Sequence, residues 1–175
     1  FHKSDKRRSL VKSMFYGLLY GAGTAKMAET AGVPVDKMQD SVDALHTRFP
    51  GIRTFMSTIE DTGMRRKFAE GTAYVVTPLG RRLPADSGRE YALVNYFIQS
   101  SAADILKRAL VNLDAAGYDE WMVMPVHDEV VFDIPAEHVE DALREIPRLM
   151  ADTSYIVPLT ASAEGPFNRW GEKYE

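Results

Sequence analysis

Apolar residues recur at helical spacing through the first 70 residues of this chain, and at Gly71 that period stops. A segment whose apolar residues return every three or four positions buries one face of a helix, so a series of such segments commits the chain to helix-on-helix packing. Residues 5–20 form the first, with Asp5 as the expected N-cap and Gly21 and Gly23 as stops. Thr24 is expected to cap a second, short helix that ends at Gly32 and Val33-Pro34. Residues 35–48 predict a third, with Val35, Met38, Val42 and Leu45 on one face. Pro50-Gly51 is expected to break it before a fourth over 52–69, with Ile52, Phe55, Met56 and Ile59 inward.

Beyond Gly71 the signals are those of strands. Tyr74-Val75-Val76, the turn residues Pro78-Leu79-Gly80 and Arg81-Arg82-Leu83 predict a short hairpin. A long helix follows from about Ser87 to Ala116, closed by Gly117. Two apolar strands are expected at Trp121–Val126 and Val130–Ile134, with three ionisable residues between them and Pro135 closing the second. Residues 136–151 predict a helix with Val139, Leu143, Ile146 and Leu149 inward, and 157–163 a last strand. The chain is therefore read as α+β, a helical region over 1–70 followed over 71–175 by an antiparallel sheet packed on helices.

Composition narrows the functions open to such a fold. The chain has 175 residues, 45% of them hydrophobic, enough for one core or two lobes. The absence of cysteine excludes disulfides and thiolate metal sites. The longest apolar runs fall well short of the roughly 20 residues that span a bilayer. The start is polar and basic, without a signal-peptide pattern. It opens on Phe1 rather than Met, which suggests a piece of a longer product. Net charge is −4, but residues 1–110 hold 17 Lys or Arg against 11 Asp or Glu, and 111–175 hold 4 against 14. A basic half can hold phosphates and an acidic half suits divalent cations, although surface solubilisation gives the same asymmetry.

Within the first helix, Arg8, Lys12, Tyr16 and Tyr20 stand four apart, with Gly21 behind them. Steps of four turn about 400°, so the four side chains form one slowly drifting stripe. Two cations one turn apart can grip a triphosphate, Arg by paired hydrogen bonds and Lys as a point charge. The aromatic rings beyond them offer faces for a base or sugar. An amphipathic helix with a basic solvated face and buried tyrosines has the same pattern.

Arg8-x3-Lys12-x7-Tyr20-Gly21 resembles the fingers-helix motif of family A (polymerase I-like) DNA polymerases, and Phe15-Tyr16-Gly17-Leu18-Leu19-Tyr20-Gly21-Ala22-Gly23 is similar to phage members in particular. The resemblance implies that Arg8 and Lys12 contact the incoming nucleotide's phosphates, that Tyr16 packs on its sugar and base, and that Tyr20 guards the templating-base pocket. A Tyr rather than Phe at position 16 implies ready acceptance of dideoxynucleotides.

Val126-His127-Asp128-Glu129-Val130 puts an imidazole and two carboxylates between apolar strands, at the sheet's end, where they can share a cation or simply form a polar turn. No glycine stands where two-residue hairpins favour one. The tripeptide also resembles the third palm motif of the same family. By that resemblance Asp128 binds the catalytic Mg²⁺ ions, Glu129 supports the site, and His127 touches the primer terminus. Pro125 departs from the family pattern and suggests an edge or bulged position.

On the long helix Asn95 and Gln99 lie one turn apart. Amides both donate and accept, so they can address the acceptors common to every base pair in the minor groove, or form a solvated polar face. Asn95-x3-Gln99-x2-Ala102-Ala103-Asp104 resembles the family's minor-groove helix. Arg81 and Arg82, in Leu79-Gly80-Arg81-Arg82-Leu83-Pro84, are similar to family residues that hold template or primer phosphates. Glu164-Gly165-Pro166-Phe167-Asn168-Arg169-Trp170 looks like a phage polymerase C-terminus.

The resemblance implies the C-terminal fingers (1–70) and palm (71–175) part of a DNA polymerase that adds dNTPs to a primer on template DNA, in the cytoplasm of a bacterial or phage-infected cell. Nucleotidyl transfer of this kind uses two metals about 4 Å apart. The family's other Asp lies in an Asp-x-Ser-x-x-Glu-x-Arg type segment, and none of these 175 residues supplies one. The chain alone is therefore expected not to polymerise. The partner it needs is the missing N-terminal portion, in the same or a separate chain. Two other readings are a single-subunit RNA polymerase, whose palm tip is typically His-Asp-Ser, and a non-catalytic DNA-binding remnant.

Overall fold

The computed structural model describes residues 6–174, and the chain divides into two compact units that meet in sequence at Ser101 and Ala102. The sequence period changes at Gly71, thirty residues earlier, because the hairpin that follows packs with the helix before it. The architecture is α+β, as expected.

The first unit holds α1 (Lys6–Leu19), α2 (Thr24–Ala31), α3 (Val35–Arg48) and α4 (Pro50–Glu70), then β1 (Tyr74–Val76), β2 (Arg82–Pro84) and the start of α5 (Leu93–Ala115). Asp5, the expected cap of α1, lies outside the described residues. Gly23, not Thr24, is the N-cap of α2, and the Thr24 hydroxyl instead donates to Gln39 Oε1 at 3.0 Å. Gly32, at φ 65°, closes α2. The break expected at Pro50-Gly51 falls at Phe49, which alone separates α3 from α4, and Pro50 itself opens α4: it sits in the first turn, where its missing N–H has no partner to lose.

Two apolar clusters hold this unit. Met27, Ala28, Met38 and Val42 pack with Met14, Leu18 and Val33, which joins α1, α2 and α3. Val35, expected on that face, is exposed, since it stands at the first residue of α3. Ala73, Val75 and Leu93 form the second cluster, with Ile59, Leu83, Tyr96 and Phe97 against it. The α4 face is as expected: Ile52, Phe55, Met56 and Ile59 are all half-buried. Gly63, also on α4, lets Leu93 approach so closely that a Cβ there would fall 2.2 Å from Leu93 Cδ1.

The hairpin pairs Tyr74 with Pro84, Val75 with Leu83 and Val76 with Arg82, so β2 begins one residue later than expected. The long helix also begins later. Gly88 takes φ 82°, Glu90–Ala92 form a 3₁₀ turn, and α5 starts at Leu93 rather than near Ser87.

The second unit holds the rest of α5, the antiparallel pair β3 (Met122–Val126) and β4 (Glu129–Phe132), and α6 (Val139–Met150). Leu113, Tyr118, Ala142 and Ile146 form its core, with Trp121, Met122, Phe132 and Leu149 against it. The Tyr118 hydroxyl donates to Glu145 at 2.7 Å; burial, and then that hydrogen bond, pushes its pKa up to about 12. The register of β3 slips between Met122 and Met124, and Pro125 pairs with Val130 on a strand that has a single neighbour, in keeping with the edge or bulged position expected.

The last strand, expected over 157–163, is not formed. Asp152 and Leu159 make one isolated antiparallel bridge, Ile156 and Val157 are exposed, and Pro158 has no N–H to donate. No helix of the described residues is long and apolar enough to cross a membrane.

Candidate functional site

In the first unit the stripe on α1 exists as a surface. Arg8, Lys12 and Tyr16 are exposed and Tyr20, just past the helix, is half-buried. Lys12 Nζ lies 5.6 Å from the centre of the Tyr16 ring, and the rings of Tyr16 and Tyr20 stack at 5.7 Å with 15° between planes. This is a continuous run of cation, aromatic face and aromatic face, as the four-residue spacing requires.

Two glycines fix where the stripe sits. A Cβ at Gly17 would lie 2.9 Å from Met27 Cγ, so a side chain at that position would force the Met27 side chain of α2 to shift. Gly21 turns the chain out of α1 at φ 77°, and a Cβ there would stand 3.3 Å from the Tyr91 ring.

Gln99 joins this group: its Nε2 donates to the Tyr20 hydroxyl across 79 residues of sequence. Asn95, one turn earlier on α5, is half-buried, and its Oδ1 is enclosed with no hydrogen-bond partner among the described residues. Thus only Gln99 of the two amides is exposed.

Arg81 and Arg82 are engaged within the protein. Arg81 Nη2 donates to the Ser100 carbonyl at 2.8 Å, and its backbone N–H donates to Thr77 Oγ1 at 3.1 Å. Arg82 lies over the Tyr74 ring at 3.6 Å and 3.4 Å from Glu70 Oε2. Arg82 is the more exposed, with about half its side chain open to solvent.

In the second unit, His127 and Asp128 are the two residues of the β3–β4 turn, and Val126 pairs with Glu129. The turn is tighter than the three-residue link expected, and Glu129 belongs to β4. The twist of a two-residue hairpin demands positive φ, and His127 supplies it at φ 55° without glycine. A non-glycine residue in that region costs about 1–2 kcal/mol, a cost the surrounding strands must offset.

Asp128 is exposed, with no ion pair or hydrogen bond among the described residues. Glu129 is half-buried and ion-paired with Lys173, which also stands 3.8 Å from Glu164. Asp128, Glu129, Phe167, Trp170 and Lys173 line one groove of about 560 Å³. Among the described residues no three His, Cys, Asp or Glu side chains are grouped to hold a metal ion. An exposed carboxylate with free lone pairs suits a hard divalent cation, so Asp128 fits as one ligand of an incomplete set. Lys173 and the Gln99–Tyr20 contact carry no signal of spacing or composition, and the sequence did not reveal them.

The chain matches the sequence profile of DNA polymerase family A over residues 2–172. It is 33% identical over 172 residues to a DNA polymerase of Mycobacterium phage D29, covering 98% of this chain and 27% of that protein. It is 30% identical to DNA polymerase I of Helicobacter pylori J99, covering 97% of this chain and 20% of the relative. Its fold resembles the POL domain of Pol1 from M. smegmatis, solved in complex with DNA primer-template and dNTP, at a TM-score of 0.75 and 28% identity. That match covers 90% of this chain and 30% of the solved one. The chain thus spans about a quarter of these relatives' length, and within that span the match runs through the α1 stripe, the α5 amides and the β3–β4 turn in order: it belongs to DNA polymerase family A.

Proposed function

We propose that this chain is the nucleotide-binding and template-handling part, fingers (1–70) and palm (71–175), of a DNA polymerase that adds dNTPs to a primer 3′ end. The observation that carries the reading is the α1 stripe itself: exposed Arg8 and Lys12, then Tyr16 stacked on Tyr20, in a chain of this family. Arg8 and Lys12 bind and orient the triphosphate, and their charge offsets what develops on the leaving pyrophosphate. Tyr16 presents its face to the sugar and base. Tyr20 closes the stack and is steadied by Gln99.

Asn95 and Gln99 address the minor groove, His127 the primer terminus, and Arg81 and Arg82 the backbone phosphates. Mg²⁺, when bound, supplies activation of the primer 3′-hydroxyl and neutralises phosphate charge. Asp128 would hold it, with Glu129 beside it in support. The rest of the metal site comes from polypeptide outside these residues, in the same or a separate chain. The setting is the cytoplasm of a bacterial cell, phage-infected or not.

The test is primer extension with Mg²⁺ and all four dNTPs, by this chain alone and mixed with the upstream portion of a family relative. Template-dependent extension by the mixture, with none by the chain alone, is the expected result. A folded mixture that binds primer-template in a salt-sensitive way, yet ignores dNTP and Mg²⁺, refutes it.

A further inference from the structure

We propose that Lys173 is a positioning residue of the hairpin tip: its ammonium neutralises and holds Glu129, so that the tip offers a divalent cation one free carboxylate, Asp128, rather than two. The inference rests on the reading of that tip as a cation site and adds to it the residue that sets its charge.

The two carboxylates are adjacent in sequence but differ in surroundings. Asp128 lies in the turn and is exposed, whereas Glu129 is the first residue of β4 and its side chain is 26% exposed. A half-buried carboxylate needs a partner, because water no longer solvates it fully. Lys173 provides one from the 3₁₀ turn Trp170–Tyr174, with its own side chain 25% exposed and Glu164 3.8 Å away. The ammonium is thus drawn to Glu129 from a segment more than forty residues further along the chain.

Two consequences follow from charge alone. With Lys173 in place, the pair at the tip carries about one net negative charge instead of two, and cation affinity rises with the number of charged ligands offered, so the pairing lowers it. Lys173 also competes directly with any cation for the Glu129 oxygens, since an ammonium and a hard metal ion seek the same lone pairs. Glu129 is kept at the edge of the site, oriented but occupied.

The experiment is a Tb³⁺ titration of the 175-residue chain, read as luminescence sensitised by Trp170, which lines the same groove. The titration midpoint, not the intensity, is the readout. Lys173→Gln is expected to tighten Tb³⁺ binding roughly tenfold, because a second carboxylate becomes available. Lys173→Arg keeps the charge and should stay near the wild-type midpoint. Glu129→Gln alone leaves the ammonium unpaired beside Asp128 and should weaken binding, but by less than Asp128→Asn, and the Lys173→Gln/Glu129→Gln double variant should return to near the wild-type midpoint. A merely structural role for Lys173 gives no reason for tighter binding that vanishes with Glu129.

If Lys173→Gln leaves the midpoint unchanged, or its gain survives in the double variant, the proposal is overturned. If Glu129→Gln weakens binding as much as Asp128→Asn, it is overturned too, since Glu129 is then a ligand. Should Asp128→Asn bind Tb³⁺ like the wild type, the cation-site reading of the tip fails, and with it this inference.

Discussion

Replacing Gly63 by Ala sets two effects of known size against each other. Gly63 lies inside α4, where Ala is worth about 1 kcal/mol more than Gly as a helix former. On that ground alone the substitution stabilises. The new Cβ, however, would sit 2.2 Å from Leu93 Cδ1 and 3.5 Å from Leu93 Cγ. Carbon atoms settle at about 3.5–4.0 Å, so the Leu93 methyl must move by more than about 1 Å. Leu93 is fully buried among Ala73, Val75 and their neighbours, and overpacking of such a site costs about 1–3 kcal/mol.

The clash therefore outweighs the propensity, and Gly63→Ala should destabilise by about 1 kcal/mol, read as a lowered midpoint of urea unfolding followed by circular dichroism. The double-mutant cycle isolates the cause. Leu93→Ala alone should cost about 2–5 kcal/mol through the cavity it leaves, and in that background Gly63→Ala should turn stabilising by about 1 kcal/mol. A rise in stability from Gly63→Ala in the native background would refute the reasoning, because it would mean α4 and Leu93 are not in close contact.

Three further outcomes follow from named residues. In the assembled polymerase, Tyr16→Phe should raise discrimination against dideoxynucleotides more than about tenfold, because the hydroxyl that could stand in for the missing 3′-OH is gone; chain-termination ladders measure it, and unchanged termination would contradict the role of Tyr16. Glu90 is held at a pKa of about 2, first by its hydrogen bond to Lys67 at 2.5 Å and then by backbone N–H groups including that of Gly88. Its folded pKa lies below the usual value, so its contribution is present above about pH 4.5 and is lost as pH falls toward 2; Lys67→Met should flatten that part of the stability–pH curve. Tyr118 shows the opposite sign: with its folded pKa raised from 10 to about 12, its contribution is full below pH 10 and is lost as pH rises through that interval, a slope that Tyr118→Phe should remove.

Most elements were legible because their signals are local. The faces of α3 and α4 followed from spacing, as Met38, Val42, Ile52 and Ile59 show. Boundaries failed where a residue has two uses. Pro50 both ends one helix and begins the next, and Thr24 can cap a helix or stand inside it, so the sequence alone did not choose. The β3–β4 turn failed for a different reason: an unfavourable φ at His127 is imposed by the pairing of the strands, and propensity does not foresee it. The strand over 157–163 has strand-like residues, but pairing depends on a neighbour, and here only the Leu159 bridge forms.

The candidate site was legible in its periodic part and silent elsewhere. Arg8, Lys12, Tyr16 and Tyr20 follow from a four-residue step on one helix. Gln99 could be picked out by its spacing from Asn95, but not its bond to Tyr20, and nothing in a polar tail marks Lys173 as the partner of Glu129. Such contacts join residues 79 and 44 positions apart, and they arise from packing rather than from pattern.

The most direct test of the central claim is single-nucleotide incorporation by the assembled polymerase, wild type against Asp128→Asn, on one primer-template with Mg²⁺ and the correct dNTP. Asp128→Asn should lower the rate at least about a thousandfold, equivalent to about 4 kcal/mol of lost transition-state stabilisation, with primer-template affinity retained. Incorporation by Asp128→Asn at the wild-type rate would contradict it, since the carboxylate at the β3–β4 turn would then have no part in the chemistry.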